Sequence, residues 1–179
     1  MKQIFYLMGY DNFSNAMADY FRKYRWENTE YRDFFDCLQK HLPSNTPFNF
    51  DEFIKQWLLT TGVNSLIVHY PDEAGEIDHL IIDQSSDSPS QPLRVRKTKI
   101  ALFYDVEQAP IIHEVFINAE SATIIHLPSK IPTPKAAMIN YDDEDYCKVL
   151  IHPQSEKFFS ENLSQLKDPM VRGLIYRAQ

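Results

Sequence analysis

Hydrolytic chemistry needs a metal-activated water or an activated nucleophile, and the residues closest to the first arrangement are His113-Glu114. A zinc site of the H-E-x-x-H type sets two imidazoles one helical turn apart, with a glutamate beside them to take a proton from the bound water. Ile117 stands where the second histidine is required. The alternation from Ile111 to Ile117 is that of a strand, which cannot present positions i and i+4 to one metal in helical fashion. The remaining histidines, His41, His69, His79, His126 and His152, are scattered along the chain. His69 and His79 can meet across a hairpin, but a bare pair reads as hydrogen-bonded or exposed side chains rather than as a ligand set.

Nucleophile chemistry fares no better. There is no G-x-S-x-G elbow, and neither Cys37 nor Cys147 has a base placed beside it by sequence. Two cysteines without a C-x-x-C spacing read as buried thiols of a cytoplasmic protein rather than as a disulfide framework or a zinc site. The run Asp142, Asp143, Glu144, Asp145 lacks the ligand spacing and glycine of a calcium loop, so it reads as a solvated turn between strands. No glycine-rich phosphate loop of either common pattern is present. No catalytic, cofactor-binding or metal residue is therefore assigned within the chain.

The elements that would have to carry any site follow from apolar spacing. Phe13, Met17, Tyr20, Phe21 and Tyr24 recur at helical steps after Asp11 or Asn12, and Lys2 to Met8 reads as the tail of a preceding helix. Thr29 is expected to cap a helix buried through Tyr31, Phe34, Phe35 and Leu38 and ended by Pro43. Asn49, with Glu52 three residues on, predicts a third helix start before the stripe Phe50, Phe53, Ile54, Trp57 and Leu58, with Gly62 closing it. From Val63 the period changes to two. Strands are expected over 65–70, 76–84, 93–104, 111–118, 122–126, 136–139 and 147–151, with a hairpin loop at 72–75 and an exposed loop at 85–92. Phe158, Phe159, Leu163 and Leu166 then mark a helix after Ser155, and Asp168-Pro169 opens a last one buried through Met170, Leu174 and Ile175. The fold class is α+β: an N-terminal helical segment (1–62), a central antiparallel β-sandwich (63–152) and short C-terminal helices (153–179).

Composition narrows the classes of partner. An apolar fraction of 44% with only 4 glycines is that of a folded chain rather than a low-complexity one. Acidic residues outnumber basic ones by 25 to 18, and Arg94, Arg96, Lys97 and Lys99 sit in one stretch between acidic segments, which argues against nucleic acid. No apolar run approaches the roughly 20 residues of a membrane span, and no secretory leader pattern opens the chain. No membrane partner is expected.

Several segments, in order, resemble the aminopeptidase N family. Met8 to Phe13, Tyr20 to Tyr24 and Asn28-Thr29 are similar to its pattern of helix, glycine turn, Y-F-x-K-[HY] stretch and N-[AT] step. Phe50 to Leu58 with Thr61 to Leu66 resembles the W-x-x-x-x-G-[YV] signature at the crossing into the sandwich, although Asn64 stands where many members have proline. Ile100 to Asp105 and Asn140 to Val149 resemble the later sandwich strands, the second as an N-x-[DE]-x-x-x-[FY]-x-[KR]-V segment, and Leu166 to Pro169 resembles the opening of the C-terminal helical domain. The resemblance implies a parent zinc peptidase that removes N-terminal residues, with its zinc ligands, G-x-M-E-N segment and catalytic tyrosine all upstream of residue 1. It also implies that this chain holds no cofactor, that its partner is the remainder of the same polypeptide, and that the sandwich links catalytic and helical domains. Helix ends without start or stop signals at both termini lead to the expectation of a fragment, with homodimerisation through exposed N-terminal helices. The alternative from another class is a free-standing β-sandwich module that binds a protein or carbohydrate.

Overall fold

The structure is a computed structural model in which residues 1–47, 49–71 and 75–178 are described. Helices α1 (Lys2–Met8) and α2 (Tyr10–Lys23) meet at Gly9, whose φ of 75° suits glycine. Helices α3 (Tyr31–Gln39) and α4 (Phe50–Leu58) complete the N-terminal group. The α4 start is as the sequence predicts: the Asn49 carboxamide oxygen accepts the Asp51 and Glu52 N–H groups at 2.8 and 3.2 Å. In α3 the cap is Glu30, in a reciprocal box with Asp33, while the Thr29 hydroxyl bonds to that of Tyr20 instead. Helix α4 ends at Leu58 with Leu59 as its cap, before Gly62, which takes φ 92° in the turn that leads to the first strand.

Strands β1 (Asn64–His69), β2 (Glu76–Ser86), β3 (Arg96–Phe103), β4 (Ile111–Ile117), β5 (Ala122–Pro132), β6 (Ala136–Ile139) and β7 (Lys148–Leu150) follow. They form a four-stranded sheet in the order β5-β2-β1-β7 and a three-stranded sheet in the order β4-β3-β6. The expectation of a wholly antiparallel arrangement needs correction, because β7 runs parallel to β1, with Leu66 opposite Val149. The chain reaches β7 by crossing from β6 in the other sheet, not through a hairpin, and that crossover leaves it pointing along β1. Asp72, Glu73 and Ala74 of the expected hairpin loop lie outside the described residues.

The layering follows from strand alternation. Leu66, Val68, Leu80 and Ile82 of the larger sheet meet Ile100, Leu102, Val115, Ile117 and Ile139 of the smaller one in a shared core. The opposite face of the smaller sheet is also covered. Ala101, Phe103, Ala136 and Met138 pack against Phe159, Leu174 and Ile175 of α5 (Pro153–Asn162) and α6 (Pro169–Ala178). Val95 and Phe116 pack against a helical core built on Leu7, Ala16, Phe35, Leu38, Phe50 and Phe53. The smaller sheet is therefore the middle layer, with both helical groups on its outer face. Four helix stripes sit slightly differently from expectation: Tyr31 in the first turn of α3 and Leu58 in the last turn of α4 are exposed, because the buried lines there centre on Phe35 and Leu38 and on Phe50 and Phe53. Phe21 is 64% exposed because α2 centres its buried line on Ala16, and in α6 Val171 is buried while Met170 faces out.

Candidate functional site at the junction of helices and sheets

A dense polar constellation joins the N-terminal helices to the sheets, along residues 94–97. Arg94, 4% exposed, donates from Nε to the Gln56 carbonyl at 2.8 Å, and from one terminal nitrogen to the Thr60 hydroxyl and the Thr61 carbonyl at 3.0 and 2.9 Å. The Val95 N–H donates to Gln56 Oε1 at 2.9 Å, and Trp57 Nε1 donates to the Val95 carbonyl at 2.9 Å. Arg96 is completely buried. It donates to Asp145 Oδ2 at 2.8 Å and to Asn64 Oδ1 at 2.6 Å, and its guanidinium lies 5.1 Å from the centre of the Trp57 ring. Lys97 exchanges both backbone hydrogen bonds with the Gln3 carboxamide, at 2.7 and 3.2 Å, just past the end of β6 where that edge of β3 would otherwise be unpaired.

The last member comes from the turn between β6 and β7. Asn140, held at φ 59°, brackets Asp145 by accepting its N–H at 2.9 Å and donating to its carbonyl at 3.1 Å. Burial pushes the Asp145 carboxyl above the ordinary carboxylate range, with Arg96 and the Tyr146 N–H opposing that shift. The reading of this acidic run as wholly solvated is thus corrected at Asp145, although Asp142 and Asp143 remain partly open and pair with Lys99 and Lys2. Asn64, where the family pattern often has proline, has a clear use here. Its Oδ1 accepts from both Arg94 and Arg96, and its Nδ2 donates to the Pro92 carbonyl at 3.0 Å.

The residues singled out for chemistry are dispersed. His113 and Glu114 lie on β4 and point to opposite faces: His113 shares the parity of Val115 and Ile117 in the core, and Glu114 that of Phe116 on the helical side. Burial lowers the pKa of His113, whose Nε2 has no hydrogen-bond partner, while Glu114 pairs with Lys97 at 3.1 Å. His41 pairs with Asp19 at 2.7 Å. His69 and His79 do not meet each other. His69 stacks on His152, and His79 faces His126 across β2 and β5 with its Nδ1 2.6 Å from Asp78. Among the described residues no three of His, Cys, Asp or Glu converge as a metal site. Burial raises the Cys147 thiol well above its ordinary value, which disfavours a nucleophilic thiolate. Among the described residues, no helix is long and apolar enough to cross a membrane.

What this arrangement can do is mechanical: it fixes helices to sheets through charges that have no water to fall back on. In the sequence Arg94 and Arg96 stand out only as a basic stretch, because their partners are separated from them by up to 49 positions.

No family model matches the chain. A curated relative, the aminopeptidase N of Streptomyces lividans, aligns over 98% of this chain at 25% identity, and the chain spans 21% of that protein. Among solved structures, Legionella pneumophila aminopeptidase A in complex with aspartic acid superposes over 96% of the chain with a TM-score of 0.65. That alignment covers 19% of the Legionella protein at 12% identity, a likeness of fold. Along almost its whole length the chain is thus similar in sequence to part of an aminopeptidase N and in fold to part of an aminopeptidase A, and it spans about a fifth of the length of each.

Proposed function

We propose that the chain is a non-catalytic segment of a zinc metallo-aminopeptidase that removes N-terminal amino acids from peptides, and that its two-sheet body links the catalytic part to C-terminal helices. The observation that supports this reading most is the alignment to an aminopeptidase N over 98% of the chain. The residues present do not fit a zinc centre: His113 and Glu114 diverge across a strand, and the other histidines are engaged with carboxylates or with one another. No hydrolytic step is therefore derived through this chain. Its own contribution is positional. The 94–97 rail ties α1 and α4 to the smaller sheet, and Ser155 ties α5 to the same sheet by accepting the Ala137 N–H at 2.9 Å. The partner on this reading is the rest of the aminopeptidase polypeptide, and the compartment is the cytoplasm.

The test has two arms. The isolated chain, dialysed and assayed for metal, is expected to retain no stoichiometric zinc and to release no amino acid from N-terminal aminoacyl reporters. One tightly held zinc per chain with chelator-sensitive turnover would falsify the non-catalytic reading. Sequencing the gene upstream is expected to reveal an in-frame H-E-x-x-H, and its absence would remove the link to a parent enzyme.

A further inference from the structure

The outer face of the larger sheet ends in an unusual pair. The rings of His69, the last residue of β1, and His152, which precedes α5, stack with centroids 4.7 Å apart and planes 13° apart. His69 Nε2 lies 3.1 Å from Asp83 Oδ2 on β2. His152 serves instead as the N-cap of α5, its Nδ1 accepting the Gln154 N–H at 3.3 Å. That bond requires an unprotonated Nδ1, because an imidazolium nitrogen can only donate. The same turn carries two other anchors to the sheets: Gln154 Nε2 donates to the Tyr70 carbonyl at 3.1 Å, and Ser155 Oγ accepts the Ala137 N–H.

We propose that His152, stacked on His69, is a proton-sensitive latch, which holds the start of α5 on the sheets while its ring is neutral and frees it when that ring is protonated. Protonation acts twice. It converts the His152 cap from acceptor to donor, and it sets a positive ring against the face of His69, whose own carboxylate partner, Asp83, is already engaged with His69. Among the described residues, the titratable groups acting on His152 are His69 and Asp83. Burial, and then His69, lower the pKa of His152, while Asp83 opposes them. The sign follows from that lowering. Above the ordinary imidazole value of about 6.5 the ring is neutral folded or unfolded. As pH falls below that value the unfolded chain takes up the proton more readily than the folded one, so the latch's contribution is present at neutral pH and lost on acidification. The consequence is local opening at the hinge between the sheets and the C-terminal helices, with the shared core intact.

Hydrogen exchange on the full chain at about pH 7.5 and about pH 5, expressed as protection factors to remove the intrinsic pH effect, tests the latch. Protection over residues 153–159 is expected to fall severalfold at the lower pH while β3 is unchanged. His152→Asn keeps an acceptor at the cap without titrating, and is expected to abolish the difference. Equal protection of α5 at both pH values, or an equal fall in His152→Asn, would overturn the proposal. Should that variant fail to fold, His69→Gln decides: with the stacked ring gone, the His152 midpoint read by NMR is expected to rise, and an unmoved midpoint counts against the latch.

Discussion

Arg96 and Asp145 set the terms for the junction. Each side chain is fully inaccessible, and they are 2.8 Å apart. A pair of this kind contributes little net stability relative to an apolar replacement, because desolvation offsets most of the attraction, but removing one partner leaves a buried charge alone. Asp145→Ala should therefore cost about 3–5 kcal/mol, read from the urea midpoint at constant slope. In a cycle with Arg96→Met the double variant should lose clearly less than the sum of the two singles. Additive losses would mean that the two charges do not act as a unit. Little of this was legible in the sequence. Arg94 and Arg96 look like any exposed basic stretch until the fold brings Gln56, Asn64 and Asp145 to them, and Asp145 sits in a four-residue acidic run that gives no sign of its burial.

Local structure was far more readable at the scale of elements, since it depends on neighbours a few residues away. Six of the expected strand segments coincide with observed strands to within about three residues at either end, and the fifth strand runs on to Pro132. The parallel course of β7 escaped notice because alternation reports that a segment is a strand but not which way its partner runs. The cap of α3 escaped notice for another reason: Thr29 and Glu30 are both competent N-caps, and the Tyr20 hydroxyl takes Thr29 out of the competition. Asn49 had no such rival. Asn49→Ala, which removes the acceptor of two helix-start N–H groups, should destabilise the chain by about 1 kcal/mol. Asn49→Ser should recover most of that loss, and a chemical-denaturation series that ranks Ala level with Asn would refute the assigned cap.

For the whole molecule, the middle sheet is buried on both faces, while the two helical groups on its outer face differ in how completely their apolar side chains are covered. The C-terminal helices close over Phe159 and Ile175, both inaccessible. The N-terminal helices leave Phe5, Tyr10, Phe21, Trp26 and Tyr31 exposed, with Trp26 at 91% and also at a positive φ of 65°. Along the α2 and α3 stripes read from the sequence, Phe21 is exposed, Phe13, Met17 and Phe34 are half-buried, and Phe35 is buried. Burying one large apolar side chain is worth roughly 1.5–3 kcal/mol, so covering several would be comparable with the whole stability of a small domain, about 5–15 kcal/mol. A second copy of the chain can supply that cover through a two-fold contact of the same surface with itself. Light scattering across a dilution series is expected to reveal a dimer at high concentration that dissociates on dilution. Phe21→Lys with Trp26→Lys should keep the chain monomeric throughout without altering the core. A wild-type chain that stays monomeric at every concentration, or a dimer indifferent to both lysines, would place the association elsewhere or rule it out.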